Sequence, residues 1–504
     1  MTLATLYQVL LVGGVVLLAS IAAARVAHRV GLPALLLFLG VGVLLGEDGF
    51  GLPFDDMQLA QALGAAALAV ILVEGGLTTQ WSTVRLLLLP AGVMATVGVT
   101  VSVLALATGA HLLLGLDWHL ALLLGAIVAS TDAAAVFAVL RSLPLPRRVT
   151  GLLEAESGFN DAPAIILVLV FSTAAAELPA PGRVVADVVY QLAVGASVGL
   201  LIGWLGSVAL RRIALPASGL YPLAAVGFGI TAFAAAGAAQ ASGIIAAYLA
   251  ALVLGNSTLP HRAATRSFAE GAGWLAQIGL FVMLGLLVTP SELPKAVLPA
   301  LGAGLVLLLV ARPLSVVLCL TPFRVPWREQ TFISWAGLRG AVPIVLATFP
   351  IVAGVEGARD LLNIVFVLVV AFTLLQGPTL PAAARLLGLT RTDNLREVQV
   401  ETAPLDVLDA DLLTLTIPPR SKLHGVTVFE LRLPAPAVVS LIVRDGVPLV
   451  PRPETVLHAG DEMLLIATVH TRAAAEQRLR AVGRRGKLAR WFGEDGRPEP
   501  EPDV

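Results

Sequence analysis

Within the run Glu156-Ser157-Gly158-Phe159-Asn160-Asp161, two carboxylates, an amide and a hydroxyl stand at the mouth of an apolar stretch, Ala164 to Val170. A charge at mid-bilayer costs roughly 2.5 kcal/mol or more, and an intramembrane acid is by default a place where protons or cations bind and leave. On a helix, Ser157 and Asp161 share one ridge and Glu156 and Asn160 the next, each pair four residues apart. Hydroxyl, carboxylate and carbonyl oxygens on one ridge suit a hard monovalent cation. Glu154 lies nearer the helix start, where an acid serves the macrodipole. Asp161 lies too deep for that role and is the candidate ion-binding carboxylate.

Three further polar stretches interrupt apolar segments. Ser130-Thr131-Asp132 divides Leu120–Ala129 from Ala133–Leu140 and could cap a second half-helix, freeing carbonyls upstream. Broken helices of this kind build ion sites in transporters. Gly337-Leu338-Arg339-Gly340-Ala341-Val342-Pro343 puts an arginine deep in another span. A buried arginine needs a carboxylate; Glu156 is the natural partner, which leaves Asp161 free to titrate. Arg312, closer to a span end, reads as a snorkelling residue. Glu74 sits near the end of its helix as a candidate at the ion entry, and Gln376-Gly377-Pro378-Thr379 reads as a helix break or packing device.

The elements that must position these residues are membrane spans. The chain of 504 residues is 57% hydrophobic and 13% charged, and its mean hydropathy is +0.88. A soluble domain carries about a quarter charged residues. About thirteen apolar segments follow one another, near 3–24, 31–46, 59–78, 86–110, 119–140, 151–176, 184–210, 221–239, 242–256, 268–289, 295–320, 330–354 and 360–387. The first is read as an uncleaved span. Alternate loops hold twelve arginines, from Arg25 to Arg328, whereas the other set holds Arg183, Lys295 and Arg359. That asymmetry predicts a multi-pass cell-membrane protein with its N-terminus outside and its C-terminus in the cytoplasm. A net charge of −1 argues against nucleic acid as a partner. The single cysteine, Cys319, excludes an internal disulfide, and the histidines show no metal-ligand spacing.

Beyond about 390 the composition changes. Residues 402–484 read as a small cytoplasmic α+β domain, with strands around Leu412–Ile417, Val438–Val443 and Met463–Ala467. Arg444-Asp445-Gly446 and Ala459-Gly460-Asp461 supply turns, and Ala473–Val482 a closing helix. Residues 485–504 have the composition of a disordered tail.

The Thr-Asp break, the Glu-Ser-x-x-Asn-Asp helix and the Gly-Leu-Arg-Gly-Ala-Val segment, in that order, resemble the monovalent cation:proton antiporter superfamily in its NhaP-like branch. The resemblance covers roughly residues 5–390. It implies an all-α polytopic domain over 1–390 with inverted repeats and broken helices. It also implies that Asp161 binds the ion, that Thr131 and Ser157 help coordinate it, and that Glu156 pairs with Arg339. The family often has proline after Thr-Asp, where this chain has Ala133. Segment 402–484 resembles a TrkA-C (RCK-C) domain through Val443-Arg444-Asp445-Gly446 and Gly460-Asp461-Glu462-Met463-Leu464-Leu465. No GxGxxG precedes it, so any regulatory small ligand is unidentified.

The expected function is electroneutral one-for-one exchange of K⁺, or alternatively Na⁺, for H⁺ in cation and pH homeostasis, with no cofactor. Asn160 carries no charge, and the resemblance implies that relatives with two adjacent aspartates exchange two protons per cation. It implies too an elevator-like motion of a six-helix core against a dimerisation domain, hence a homodimer in lipid. Asp132 and Glu74 are the candidates for a second proton. An RCK-regulated potassium channel would need a filter such as Thr-Val-Gly-Tyr-Gly, which is absent from the sequence. An enzyme would need a nucleophile–base pair or metal ligands within the spans.

Overall fold

The computed structural model describes residues 3–30, 33–81, 85–131, 145–173, 181–389, 400–405 and 410–496. It divides into two compact units, Met1–Thr390 and Arg391–Val504.

The first unit is helical because its apolar segments must satisfy their own backbone hydrogen bonds in lipid. Its helices are α1 (Leu3–Val30), α2 (Ala34–Leu45), α3 (Met57–Thr78), α4 (Leu88–Leu114), α5 (Trp118–Ile127) and α6 (Arg147–Phe171). There follow α7 (Pro181–Arg212), α8 (Leu220–Ala238), α9 (Gly243–Gly255) and α10 (Arg262–Leu286). The last four are α11 (Pro290–Phe323), α12 (Trp327–Trp335), α13 (Ala341–Val352) and α14 (Ala358–Leu386). Eight of them are long and apolar enough to cross a bilayer. The shorter ones, together with α6, account for the remaining segments read from the sequence, with α12 and α13 as the two halves of one of these.

Element order repeats within this unit. Helix α4 carries a turn of π-helix at Met94–Gly98, α5 is short and ends in a break, and α6 contains Pro163. Helix α11 likewise carries a π turn at Leu307–Ala311, α12 is short and ends in a break, and α14 contains Pro378 and Pro381. Four spans, α7–α10, separate the two trios, so each member of the second comes seven spans after its counterpart and runs through the membrane in the opposite sense, the inverted repeat of secondary transporters.

The packing sorts the helices into two groups. Helices α4–α6 and α11–α14 pack on one another, as do α1–α3 with α7–α10; α6 against α9 and α13 against α3 and α10 are among the few meeting lines. In the second group, side chains at Gly195, Gly199 and Gly203 of α7 would run into the backbone of Ser242, Ala246 and Ala250. The glycine stripe lets α7 and α9 touch backbone to backbone, as small residues do between membrane helices.

The second unit holds a five-stranded antiparallel sheet in the order β1-β2-β5-β3-β4, with β1 Val400–Leu405, β2 Ala410–Thr416, β3 Val438–Arg444, β4 Val447–Leu449 and β5 Glu462–Thr468. Helix α15 (Val469–Arg485) sends Ala475, Leu479 and Val482 into the core with Leu413, Leu465 and Met463. Asp445 and Gly446 both have positive φ, 52° and 78°, as the two-residue β3–β4 turn requires. The last residues of the chain, 497–504, lie outside the described residues.

Candidate ion site

Helix α5 stops at Ile127; Val128 still donates back to the Leu124 carbonyl and Ala129 to that of Ala126, and Ser130 and Thr131 run on outside the helix. On the other side of the site, α12 stops at Trp335, Ala336 turns, and Gly337–Gly340 is non-helical before α13 begins at Ala341. Each break strands backbone carbonyls that lipid cannot satisfy. Side chains satisfy several of them. Arg339 Nη1 donates to the Ser130 carbonyl at 2.7 Å. From α14, Thr373 donates to the Arg339 carbonyl at 2.9 Å and Gln376 to the Trp335 carbonyl at 2.9 Å. Gln376 is therefore a brace for the break rather than an ion ligand in this conformation.

Helix α6 runs past the first break and carries the polar residues. Thr131 Oγ1 and Ser157 Oγ are 3.0 Å apart, and Asn160 Nδ2 donates to Thr131 Oγ1 at 2.6 Å. All three are buried, as is Asp161 at 5% exposure. Asn160 Oδ1 and Ser130 Oγ find no hydrogen-bond partner among the described residues. Two residues beyond Asp161, Pro163 has no N–H to give the Phe159 carbonyl, so the ladder opens one turn from the site. The structure thus brings Thr131, Ser157 and Asn160 into one network, with Asp161 following Asn160 on the same helix. Asp132 lies outside the described residues. Glu74 is half-buried on α3, in the other helical group, with its side-chain stem against Gly273 of α10.

Glu156 does not have the partner expected from sequence. Its carboxylate is gripped at both oxygens by Arg312: Nη1 on Oε1, and Nη2 on Oε2 at 2.8 Å. Arg312 also donates to the Ile333 carbonyl at 3.4 Å and is 5% exposed, so it does not snorkel. A π turn at Leu307–Ala311 directly precedes Arg312 and shifts the phase of the helix there. The cue missed in the sequence is that apolar residues continue after Arg312 to Leu320. Arg339, 2% exposed, spends its charge on the Ser130 carbonyl and stands in the electrostatic field of Glu156, Asp161 and Arg312. Gly337 makes room for this arrangement: a Cβ there would stand 2.7 Å from Arg312 Nε. Glu154 also departs from expectation. Helix α6 begins at Arg147, so Glu154 lies beyond its first turn and instead accepts a hydrogen bond from Thr79, the residue just after α3, at 2.8 Å.

This arrangement is two opposed half-helix breaks, a polar network and a buried carboxylate beside a neutralised ion pair. Comparison with known proteins gives it a family. Residues 16–386 match the transmembrane sodium/hydrogen exchanger model. The chain belongs to the sodium/hydrogen exchanger family. Residues 412–480 match the TrkA-C domain. The chain is 38% identical over 465 residues to the K⁺/H⁺ antiporter NhaP of Alkalimonas amylolytica, covering 91% of this chain and 80% of that one. It is 35% identical over 503 residues to the K⁺/H⁺ antiporter NhaP2 of Shewanella oneidensis, covering 96% and 85%. The sodium proton antiporter MjNhaP1 of Methanocaldococcus jannaschii shares its fold, with a TM-score of 0.64 at 22% identity over 76% of this chain and 99% of the other. The chain is accordingly a multi-pass cation:proton antiporter with a TrkA-C domain.

Proposed function

We propose that the protein exchanges K⁺ for H⁺, one for one, with Asp161 as the carboxylate for which proton and cation compete. The observation that carries this reading is the division of labour among the acids. Glu156 is committed to Arg312 at both oxygens, and Asn160 beside Asp161 is uncharged. One carboxylate that changes ligand gives one cation against one proton. Thr131 and Ser157 supply oxygens to the cation, and Asn160 orients Thr131. Proton and cation compete for this carboxylate, so Asp161 releases its proton when a cation replaces it. The preference for K⁺ over Na⁺ rests on the two relatives named K⁺/H⁺ antiporters and on the TrkA-C domain.

The reading is transport without covalent chemistry or cofactor, by a homodimer in the bacterial inner membrane, with its N-terminus outside and its TrkA-C domain in the cytoplasm as a regulatory module. The twelve-to-three loop asymmetry in basic residues supports this orientation. In proteoliposomes, Asp161→Asn abolishes cation-dependent proton movement while the protein still folds and inserts; retained exchange removes Asp161 from the centre. Exchange by the parent is insensitive to an imposed potential, where each uncompensated charge would be worth about 2.3 kcal/mol per 100 mV. Voltage-driven acceleration would assign a second proton to Asp132 or Glu74.

A further inference from the structure

Tyr248 stands on α9, in the helical group opposite to α6, and is 3% exposed. Its ring lies on Gly158, where a Cβ would come within 3.1 Å of two ring carbons. Phe159 meets the same ring edge to face, with centroids 5.7 Å apart and planes at 77°. The ring therefore occupies the step of α6 between Glu154 at one end and Asp161 at the other. It has little room to retreat, because the glycine stripe of α7 holds α9 from another side. Only glycine at position 158 lets an aromatic ring sit so close to the helix that carries the site.

The hydroxyl of Tyr248 gives a second, independent observation. It is buried and makes no hydrogen bond of normal geometry. Its polar neighbours are Thr79 and Glu154; the Thr79 hydroxyl donates to Glu154, so towards Tyr248 it offers only an acceptor lone pair, in poor geometry. A buried hydroxyl held in so poor a hydrogen bond disfavours the conformation that contains it. A side chain that served packing alone would be better as phenylalanine here.

We infer that Tyr248 is the residue that closes the Glu154 end of the ion site. In this conformation its ring seals Ser157 and Asp161 from that end. When α6 shifts along α9, the ring leaves Gly158 and the hydroxyl gains a polar partner, Glu154 being the nearest carboxylate. The poorly made hydrogen bond keeps the closed state from being too stable to leave. This role rests on the reading of Asp161 as the exchange site, but its test does not.

The test is accessibility of Ser157→Cys in a Cys319→Ala background, using a membrane-impermeant maleimide applied to either face of vesicles. Tyr248→Leu and Tyr248→Ala speed labelling from one face only, roughly ten-fold, the response to about 1.4 kcal/mol in the closed–open balance. Tyr248→Phe keeps the ring, so its labelling is no faster than the parent's, and in the native background its exchange is several-fold slower because the closed state has lost its defect. Labelling at the parent rate in a folded Leu variant, or equal acceleration by Phe and Leu, overturns the proposal. If neither small variant inserts, Tyr248→Phe decides it through turnover: exchange as fast as the parent's overturns the closure. Repeating the labelling with Asp161→Asn separates the two readings. The effect of Tyr248 persists there even if Asp161 proves not to be the exchanging acid.

Discussion

Removing Arg312 tests the ion-pair assignment most directly, because the two arginines near Glu156 have different duties. Glu156 is 2% exposed and Arg312 5%, and the pair is joined at both carboxylate oxygens. At an effective dielectric of about 20, charges some 4 Å apart attract by about 4 kcal/mol. Deleting one member of a buried pair costs about 3–5 kcal/mol, since the other charge is left without compensation. Arg312→Ala therefore lowers stability by that amount. Arg339→Ala removes a charged hydrogen bond to the Ser130 carbonyl, worth about 1.5–3 kcal/mol. The assay is thermal unfolding in detergent followed by size-exclusion chromatography. The order expected is Arg312→Ala less stable than Arg339→Ala, with Arg312→Leu/Glu156→Leu recovering much of the loss because an apolar pair has no desolvation cost. A parent-like Arg312→Ala, or a double variant as unstable as the sum of its single changes, refutes the pairing.

Gly337→Ala places a methyl 2.7 Å from Arg312 Nε and should cost about 1–3 kcal/mol by overpacking, measured in the same thermal assay. In the TrkA-C domain, Arg444 holds Asp461 through two hydrogen bonds of 2.8 Å. Burial pushes the Asp461 carboxyl up, but Arg444 and the His458 N–H outweigh it and hold it below the usual carboxylate range. Its contribution is thus present at neutral pH and fades as pH falls through the folded-state value. Asp461→Asn in the full chain should loosen β3 and β5 by about 1–2 kcal/mol at pH 7, discounted because Arg444 is partly exposed. Hydrogen exchange of 438–468 reads this loosening, and the difference from the parent should narrow in acid.

The spans were legible because lipid demands long apolar helices and tolerates few exceptions, and each exception marked something. The run from Glu156 to Asp161, the Ser130-Thr131 break and the Gly337–Gly340 break all emerged as charged or small residues where apolar ones were due. The β3–β4 turn was equally legible, since Asp445-Gly446 is a two-residue hairpin signal. What escaped was register along a helix. The π turn before Arg312 has no strong sequence signature, and it helps to decide which arginine reaches Glu156. The neighbours of Glu154 escaped for a related reason: Thr79 and Tyr248 come from just after α3 and from α9, and one sequence does not say which helices meet.

On the proposed mechanism, the two arginines also let a single exchanging acid work in so dry a place. Arg312 and Glu156 cancel within the core, so that pair contributes little net field whichever ligand Asp161 holds. Arg339 sits at the other break with its guanidinium on a carbonyl and with Asp161 among the charges that act on it. An ionised Asp161 then faces one uncompensated positive charge, whereas a protonated or cation-loaded Asp161 leaves that charge unbalanced by the same amount. Both loaded forms present equal charge to the membrane, and the empty ionised form differs from them by one unit. On the proposed mechanism, the protein distinguishes loaded from empty by charge without distinguishing proton from cation. Neutralising Glu156 as well as Arg312 leaves the net charge of every form as in the parent, while Arg312→Ala alone, with Glu156 ionised, makes the empty form and both loaded forms more negative by one unit. Measured exchange in the two backgrounds separates a structural role for the pair from an electrostatic one: the double variant exchanges at a rate nearer the parent's if cancellation is what matters, and at the rate of Arg312→Ala if the arginine itself is needed.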